Sequence, residues 1–338
     1  MTDLADEPFD VEAVEAGAWV PGPYGPDDER GTYNEVTPQK TASALAMLDT
    51  SRPVKTYNLS ETLFEGFPAV GGRVYEQTLC ITGWPAPEGF DGITNERNEP
   101  IGPWHITSLE ERVSTTYNMG TKINGLHHVG VNGTFYNGYK LDQIARSYGT
   151  TKLGNESQGP IVTRGVLVDV LGFKIASGGA DTQQLENGEH MLEDGYRITV
   201  EDIVATLEWE KTEEVSPGDV VLIRTGWRQL ISLDPDRYMQ GMRPGLHLRE
   251  CRYLAQFRPA IIAMDSWKFG VHRAEFGVDM LPHQELPGRY GIRVGEAVPS
   301  DELSDDKVYS FVFCFSPQNA RGAVSGNCPP IALGQPAG

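Results

Sequence analysis

One segment of the sequence combines side chains able to do chemistry with glycines that permit tight turns. Residues 118–128 read Asn-Met-Gly-Thr-Lys-Ile-Asn-Gly-Leu-His-His. Histidine is the side chain best suited to proton transfer near neutral pH, and a lysine ammonium can stabilise a developing oxyanion or enolate. The segment therefore indicates a candidate functional site. A hairpin with incidental polar residues is the alternative that the segment alone leaves open.

The other histidines differ in context. His190, His247 and His272 lie in polar or helical surroundings, so we expect them at the surface. His105 follows a Pro-Trp pair and is a candidate for a pocket wall.

Short β-rich stretches and a few helices must position these residues. Several stretches are apolar almost throughout, as expected of a strand that is covered on both faces. The predicted strands are Val54–Leu59, Arg73–Thr82, Gly165–Val170, Asp219–Thr225, Ala260–Asp265 and Val308–Phe315. The predicted helices are Pro38–Leu48, one that begins at a capping box of Thr199 and Asp202, and one over Leu246–Gln256. This mixture predicts an α/β or α+β domain.

Composition excludes several classes of protein. The 38 glycines and 23 prolines in 338 residues disfavour a helical bundle or coiled coil. The net charge of −19 disfavours nucleic acids and anionic membranes as partners, and no apolar run is long enough to span a membrane. Four widely spaced cysteines predict reduced, mostly buried thiols in a cytoplasmic protein.

Acidic residues concentrate near the start of the chain. Residues 1–50 contain eleven acidic and two basic residues, and a stiff stretch of Pro, Gly and aromatic residues lies within them. We expect an arm over 1–50 that packs on the domain or on a partner subunit, followed by a single domain over 51–338. A disordered acidic leader is the alternative.

Residues 118–128 resemble the signature of the putative cyclase / bacterial kynurenine formamidase superfamily of metal-dependent hydrolases. In the longer subgroup that signature reads His-x-Gly-Thr-Gln-Ile-Asp-Gly-Leu-Gly-His. Six further segments are similar to the family in order and place, at residues 26–34, 57–60, 164–169, 217–227, 282–286 and 291–296.

The resemblance implies a fold, an assembly and a site. The fold would be a β-rich core flanked by helices, of the swivelling β/β/α type, in a homodimer or homotetramer with the site near a subunit boundary. The family holds zinc or manganese with two His and an Asp of its signature. The proton-transferring His corresponds to His128, and a later His and Glu correspond to His283 and Glu296.

The three ligand positions depart from this pattern. They are occupied by Asn118, Lys122 and Asn124, and an ammonium offers no lone pair to a metal. Relative to the longer subgroup the centre is two charge units more positive, which disfavours a divalent cation. We therefore expect no metal and no other cofactor, with a cation displaced towards His283 and Glu296 as the open alternative.

These residues predict an enzyme that acts on a small carbonyl compound. The first candidate is a hydrolase of a cyclic amide, lactone or aryl formamide, with His128, Lys122, His283 and Glu296 as catalytic residues. The alternatives are a metal-independent lyase, dehydratase or cyclase that acts by enolisation on an aromatic or polyketide-like substrate, and a non-catalytic binder. The residues expected to contact the substrate are Asn118, Asn124, Tyr136, Trp267 and Trp104, with Trp84 and Phe135 as further aromatic candidates.

Overall fold

The computed structural model describes residues 4–94, 99–273 and 280–336, and within them it contains sixteen strands and eleven α-helices. The strands are β1 Lys55–Asn58, β2 Glu76–Thr82, β3 Ile93–Thr94, β4 Ser108–Ser114, β5 Lys122–Asn124, β6 Ala145–Arg146, β7 Gly149–Thr150, β8 Ile161–Val168, β9 Thr182–Gln184, β10 His190–Leu192, β11 Val220–Ile223, β12 Ile261–Met264, β13 Arg293–Glu296, β14 Ser310–Phe315, β15 Ser325–Gly326 and β16 Ile331–Gly334. The helices are α1 Val11–Glu15, α2 Pro38–Leu45, α3 Leu141–Ile144, α4 Asn155–Gln158, α5 Val170–Ala176, α6 Val200–Glu210, α7 Leu230–Leu233, α8 Pro235–Gln240, α9 Leu248–Ala255, α10 Leu281–Tyr290 and α11 Asp301–Asp305. None of these helices is long and apolar enough to cross a membrane.

Nine strands form one sheet, in the order β1-β16-β14-β8-β11-β12-β13-β5-β15. Strands β8, β11, β12 and β13 are parallel, and the strands on either side of them pair antiparallel. Every residue of β11 and β12 is buried, which explains why their sequences are apolar throughout. The expected mixed α+β fold is confirmed.

Two hydrophobic cores lie on opposite faces of this sheet. Because side chains alternate along a strand, Val221 and Ile223 of β11 pack into one core and Val220 and Leu222 into the other. Helices α5, α6, α9 and α10 complete the first core, and aromatic residues of β1 and β14 complete the second. Hydrophobic side chains therefore cover both faces of the sheet as far as the end that contains β13, β5 and β15.

Local capping signals set several element ends. Helix α6 begins after Thr199, whose side chain accepts the Asp202 N–H at 3.1 Å and whose own N–H donates to the Asp202 carboxylate at 2.9 Å, so the predicted capping box is confirmed. The strand predicted to reach Val170 ends at Val168. It ends there because Asp169 turns to cap α5 and accepts the Gly172 N–H at 2.9 Å. The first long helix ends at Leu45 rather than at Leu48.

Strands β3, β2 and β4 form a separate small sheet. Every residue of β4 is exposed, including Leu109 and Val113, which lie on one face because they are an even number of residues apart. Exposed apolar groups of this kind are typical of interaction surfaces. The homo-oligomer implied by the resemblance stays a prediction.

The N-terminal segment lies against the rest of the same chain. Asp6 pairs with Arg197 at 2.5 Å and with Nδ1 of His247 at 3.0 Å. The surface position expected for His247 is therefore wrong, since this imidazole is buried. The expectation of mostly buried thiols is also wrong, because all four cysteines are free but Cys251 alone is buried.

A second anchor of this segment is a close contact between Gly31 and Gly291. The Thr32 N–H donates to the Gly291 carbonyl at 2.9 Å, and a Cβ on Gly31 would lie 2.2 Å from that oxygen. Gly291 ends α10 and leads into β13, which carries Glu296. The segment therefore packs against the element that delivers a candidate site residue.

We predict that Gly31→Ala destabilises the protein more than Gly25→Ala. Both glycines have positive φ, but a Cβ on Gly25 would meet nothing within 4 Å. Backbone strain alone costs about 1–2 kcal/mol, and the clash at Gly31 should add about 2 kcal/mol to the loss in free energy of unfolding. Urea denaturation of the two variants measures the difference. Equal losses would show that the Gly31–Gly291 contact yields without cost.

Candidate functional site

Two adjacent strands place a lysine opposite a glutamate. In β5, Lys122 and Asn124 lie on one face, and Ile123 between them points into the second core. Antiparallel pairing with β13 sets Glu296 directly across from Lys122. Directly opposed residues have close Cβ atoms, so the strand register itself creates a buried ion pair, with Nζ 3.1 Å from Oε2.

The Glu296 carboxylate is surrounded by donors. Its Oε1 accepts from Asn124 Nδ2 at 2.9 Å and lies 2.6 Å from Nε2 of His283. Its Oε2 accepts the Lys268 N–H at 2.7 Å in addition to the Lys122 bond. Burial alone would raise the pKa of this carboxyl, but the charges of Lys122 and His283 outweigh burial and hold the pKa well below its usual range. Glu296 is therefore ionised, and its carboxylate holds the neighbouring donor groups in place.

Lys122 is buried, with 5 % of its surface exposed. Its ammonium donates to Glu296 and to the Asn118 side-chain oxygen. Burial lowers the pKa of the amine, whereas the charge of Glu296 opposes that change. An ammonium has three N–H donors, so one donor remains without a partner among the described residues.

His283 comes from α10, at the opposite end of the helix from Gly291. Its Nε2 faces Glu296, and its ring stacks edge-on against Phe269 and His128, with centroids 6.0 Å and 6.3 Å away. Its buried Nδ1 has no hydrogen-bond partner in the part of the chain that the structure describes. His283 therefore lies between Glu296 and His128 and contacts both side chains.

The two adjacent histidines of the signature segment have separate environments. His127 is buried beneath the loop, and its Nε2 lies 3.0 Å from the Thr150 hydroxyl. His128 is half-buried and lines an open cleft. Burial, aided by the positive charge of Lys122, lowers the pKa of His128 to about 3. At neutral pH this imidazole is uncharged and can accept a proton.

A cleft of about 550 Å³ opens beside His128. That size suits a small-molecule ligand. Asn118 lines this cleft and also a second, narrow cavity of about 20 Å³. The narrow cavity is lined as well by Lys122, Glu296, Arg73 and Trp267. The narrow cavity has room for about one water molecule. Asn118 thus lies between the open cleft and the buried ion pair.

The structure brings most of the predicted site residues together. Lys122, Asn118, Asn124, His283 and Glu296 are linked by direct contacts. Asn124 is held from its other side by Ser325, whose hydroxyl donates to the Asn124 oxygen at 3.2 Å. Trp267 lines the narrow cavity, and its indole N–H donates to the Tyr238 carbonyl at 3.1 Å.

Two of the predicted substrate contacts lie elsewhere. Tyr136 is fully buried beside Leu126, and its hydroxyl donates to Asp28 at 2.8 Å, so it holds the N-terminal segment. Trp104 is 86 % exposed and lies outside the residues that line the cleft and the narrow cavity. These two aromatics therefore do not lie with His128 and Lys122 in the described chain, and their role in substrate binding stays a prediction. Among the further candidates, His105 and Trp84 are exposed and Phe135 packs against the core around Tyr136.

Sequence reasoning missed the two arginines of the site. Arg73 lines the narrow cavity and Arg321 lines the cleft. The available signal was turn chemistry, because Gly71 and Gly72 precede Arg73 and Gly322 follows Arg321, all with positive φ. Glycines of this kind often mark loops that carry functional side chains.

The donor set does not fit a divalent metal. At the three positions that the resemblance assigns to metal ligands, the structure has two neutral amides and an ammonium already paired with Glu296. A cation there would face the positive charge of Lys122, and amide oxygens are poor ligands for zinc. Within 4–94, 99–273 and 280–336, no three His, Cys, Asp or Glu side chains are grouped so that they could hold a metal ion.

Comparison with known proteins defines the family. The family model described as Putative cyclase matches residues 57–271. The chain belongs to this cyclase family, as its signature segment predicted. No curated protein matches the chain.

Solved structures agree with this assignment. A crystal structure of a novel cyclase has 25 % sequence identity and a TM-score of 0.77, covering 96 % of this chain and 99 % of that one. Isatin hydrolase A from Ralstonia solanacearum has 14 % identity and a TM-score of 0.58, with coverage of 87 % and 95 %. An isatin hydrolase bound to the product analogue thioisatinate has 15 % identity and a TM-score of 0.57, with coverage of 89 % and 100 %. The last two share the fold.

We predict that Lys122 and Glu296 are strongly coupled in stability. Glu296→Gln leaves a buried ammonium without its counter-charge and should cost about 3–5 kcal/mol of unfolding free energy. The double variant should lose about 1–3 kcal/mol less unfolding free energy than the sum of the losses in the two single variants. Urea denaturation of the wild type, both single variants and the double variant measures this coupling. Additive losses would mean that the pair makes no specific contribution.

Proposed function

We propose that this chain is a hydrolase that opens a cyclic amide or lactone, or cleaves an aryl formamide, with the Lys122 ammonium in place of a metal ion. The observation that carries the proposal is the position of that ammonium. It lies between Asn118 and Glu296, at the centre of the residues that correspond to the family's metal site. Membership of the cyclase family and the shared fold of the isatin hydrolases support a hydrolytic reaction.

Lys122 supplies positive charge where a carbonyl oxygen becomes an oxyanion. A preorganised charge in a site closed to water stabilises such a transition state far more than it would in bulk solvent. Glu296 holds the ammonium in place. The carbonyl oxygen of the substrate enters the narrow cavity, which Lys122 and Asn118 line and which has room for about one water-sized group, and there it accepts the third N–H of Lys122. The amides of Asn118 and Asn124 complete the polar wall around it.

His128 transfers the proton. It takes a proton from the attacking water as the water oxygen bonds to the carbonyl carbon, and it returns that proton to the leaving nitrogen or oxygen when the C–N or C–O bond breaks. The low pKa of His128 in the free enzyme reflects burial and the charge of Lys122. Negative charge that forms on the substrate beside His128 raises that pKa at the step where the proton is accepted. Glu296 and His283 are positioning residues in this scheme.

We predict that placing the longer subgroup's residues at positions 118, 122 and 124 restores metal binding. Wild-type protein expressed in medium with added zinc and manganese should hold well under one metal ion per chain. The triple variant with Asn118→His, Lys122→Gln and Asn124→Asp removes the repelling charge and provides two new ligand side chains. Elemental analysis should find about one ion per chain in this variant.

A control separates this site from a displaced one. If wild-type protein holds one metal per chain and loses it on His283→Ala, the ion lies near His283 and Glu296, and the proposed role of Lys122 is wrong. An unchanged metal content in the triple variant would show that charge at residue 122 does not exclude the ion.

We predict that Lys122→Met lowers kcat/KM by about 10²–10³-fold, on the scale of losing an oxyanion donor. Proton release from isatin, formanilide and dihydrocoumarin, followed by pH-stat with EDTA present, covers the three substrate types. Lys174→Met is the matched control, because Lys174 also pairs with carboxylates, Asp181 and Asp202, but lies outside the site. It should keep full activity.

Two results would overturn the proposal. Full activity in Lys122→Met, or loss of wild-type activity in EDTA, would each remove Lys122 from its assigned role. Exchange of a substrate α-proton for deuterium without proton release would favour the enolising lyase or cyclase instead.

A further inference from the structure

The open cleft beside His128 contains an arginine that pairs with no described carboxylate. Arg321 lines the cleft, is exposed, and forms no ion pair or side-chain hydrogen bond with any described residue. The carboxylate of Glu156 accepts the N–H of the adjacent residue, Gly322, at 2.8 Å and forms no ion pair with Arg321. The five N–H donors of Arg321 are therefore available to a ligand.

The charge around this arginine is unusual for the chain. Acidic residues outnumber basic ones by 47 to 28, yet no Asp or Glu among the described residues lines the cleft. On the other side of Asn118, Arg73 lines the narrow cavity and likewise makes no ion pair with a described residue. Glu296 already balances Lys122, so Arg73 and Arg321 leave the site with excess positive charge. Such a site attracts anions from solution.

Two aromatic rings flank the same cleft. Tyr117 and Tyr148 line it and are both exposed. Exposed tyrosines in a concave site offer flat apolar surfaces against which a ligand ring can stack. His128 and Asn118 lie in the same cleft, at the candidate reacting centre.

We propose that the substrate is a planar, aromatic carboxylate whose anionic group is bound by Arg321. Its ring lies against Tyr117 and Tyr148, and its reacting carbonyl faces His128 and Asn118. This inference rests on the proposed function for the identity of the reacting centre, and it adds the charge and the shape of the substrate. A guanidinium binds a carboxylate through two parallel hydrogen bonds, so Arg321 sets the orientation as well as the affinity.

The test compares a carboxylate with its neutral counterpart. Benzoate and benzamide have similar shape and differ in charge, and isothermal titration calorimetry at low ionic strength measures the affinity of each. Wild-type protein should bind benzoate about tenfold more tightly than benzamide. Arg321→Gln should bind the two equally, and Arg321→Lys should keep part of the preference. Arg112→Gln, which removes the same charge from exposed strand β4, should keep all of it.

Three results would overturn this inference. They are equal binding of benzoate and benzamide by wild-type protein, the absence of saturable benzoate binding, and full benzoate preference in Arg321→Gln. If the preference is lost in Lys122→Met but not in Arg321→Gln, the carboxylate binds at Lys122 and the assignment to Arg321 is wrong. Because these are binding measurements, their failure is distinguishable from failure of the hydrolase proposal, which turnover and metal content test.

Discussion

The buried pair of Lys122 and Glu296 is the interaction on which the candidate site depends. A lone ammonium in this interior would lose several kcal/mol of hydration, so it needs an adjacent carboxylate. Glu296 in turn accepts from Asn124 and faces His283, and its second oxygen accepts a backbone N–H. One carboxylate thereby orients groups from a strand, a helix and a loop. Neutralising it would release all of them together.

Strand β13, which carries Glu296, also connects the site to the N-terminal segment. Arg293, at the start of β13, is fully buried, stacks 3.8 Å from the ring centroid of Tyr33 and donates to the Arg30 carbonyl at 2.6 Å. Glu296 lies three residues further along. The N-terminal segment thus packs against the start of β13, and the end of the same strand carries Glu296 of the ion pair. The contact between Gly31 and Gly291 lies at the turn that leads into this strand.

Several elements could be predicted because their signals are local. The apolar runs around Val220–Ile223 and Ile261–Met264 are buried strands, and the Thr199 capping box starts a helix. Element ends were less accurate where a side chain formed a competing contact, as Asp169 does by capping α5. The burial of His247 was missed because its partner, Asp6, is distant in sequence. Local periodicity carries no information about such a partner.

The sequence by itself determined which chemical groups are available at the site: an ammonium, two amides and an imidazole where the family has metal ligands and a proton-transferring histidine. Through charge and lone pairs alone, their types disfavour a conventional metal centre. Only the tertiary structure decided how they are arranged. Strand register placed Glu296 against Lys122, the loop turned His127 inward and His128 to the cleft, and remote turns brought Arg73 and Arg321 beside them. Those contacts depend on pairing and chain crossing over long sequence separations, which residue types and spacing do not specify.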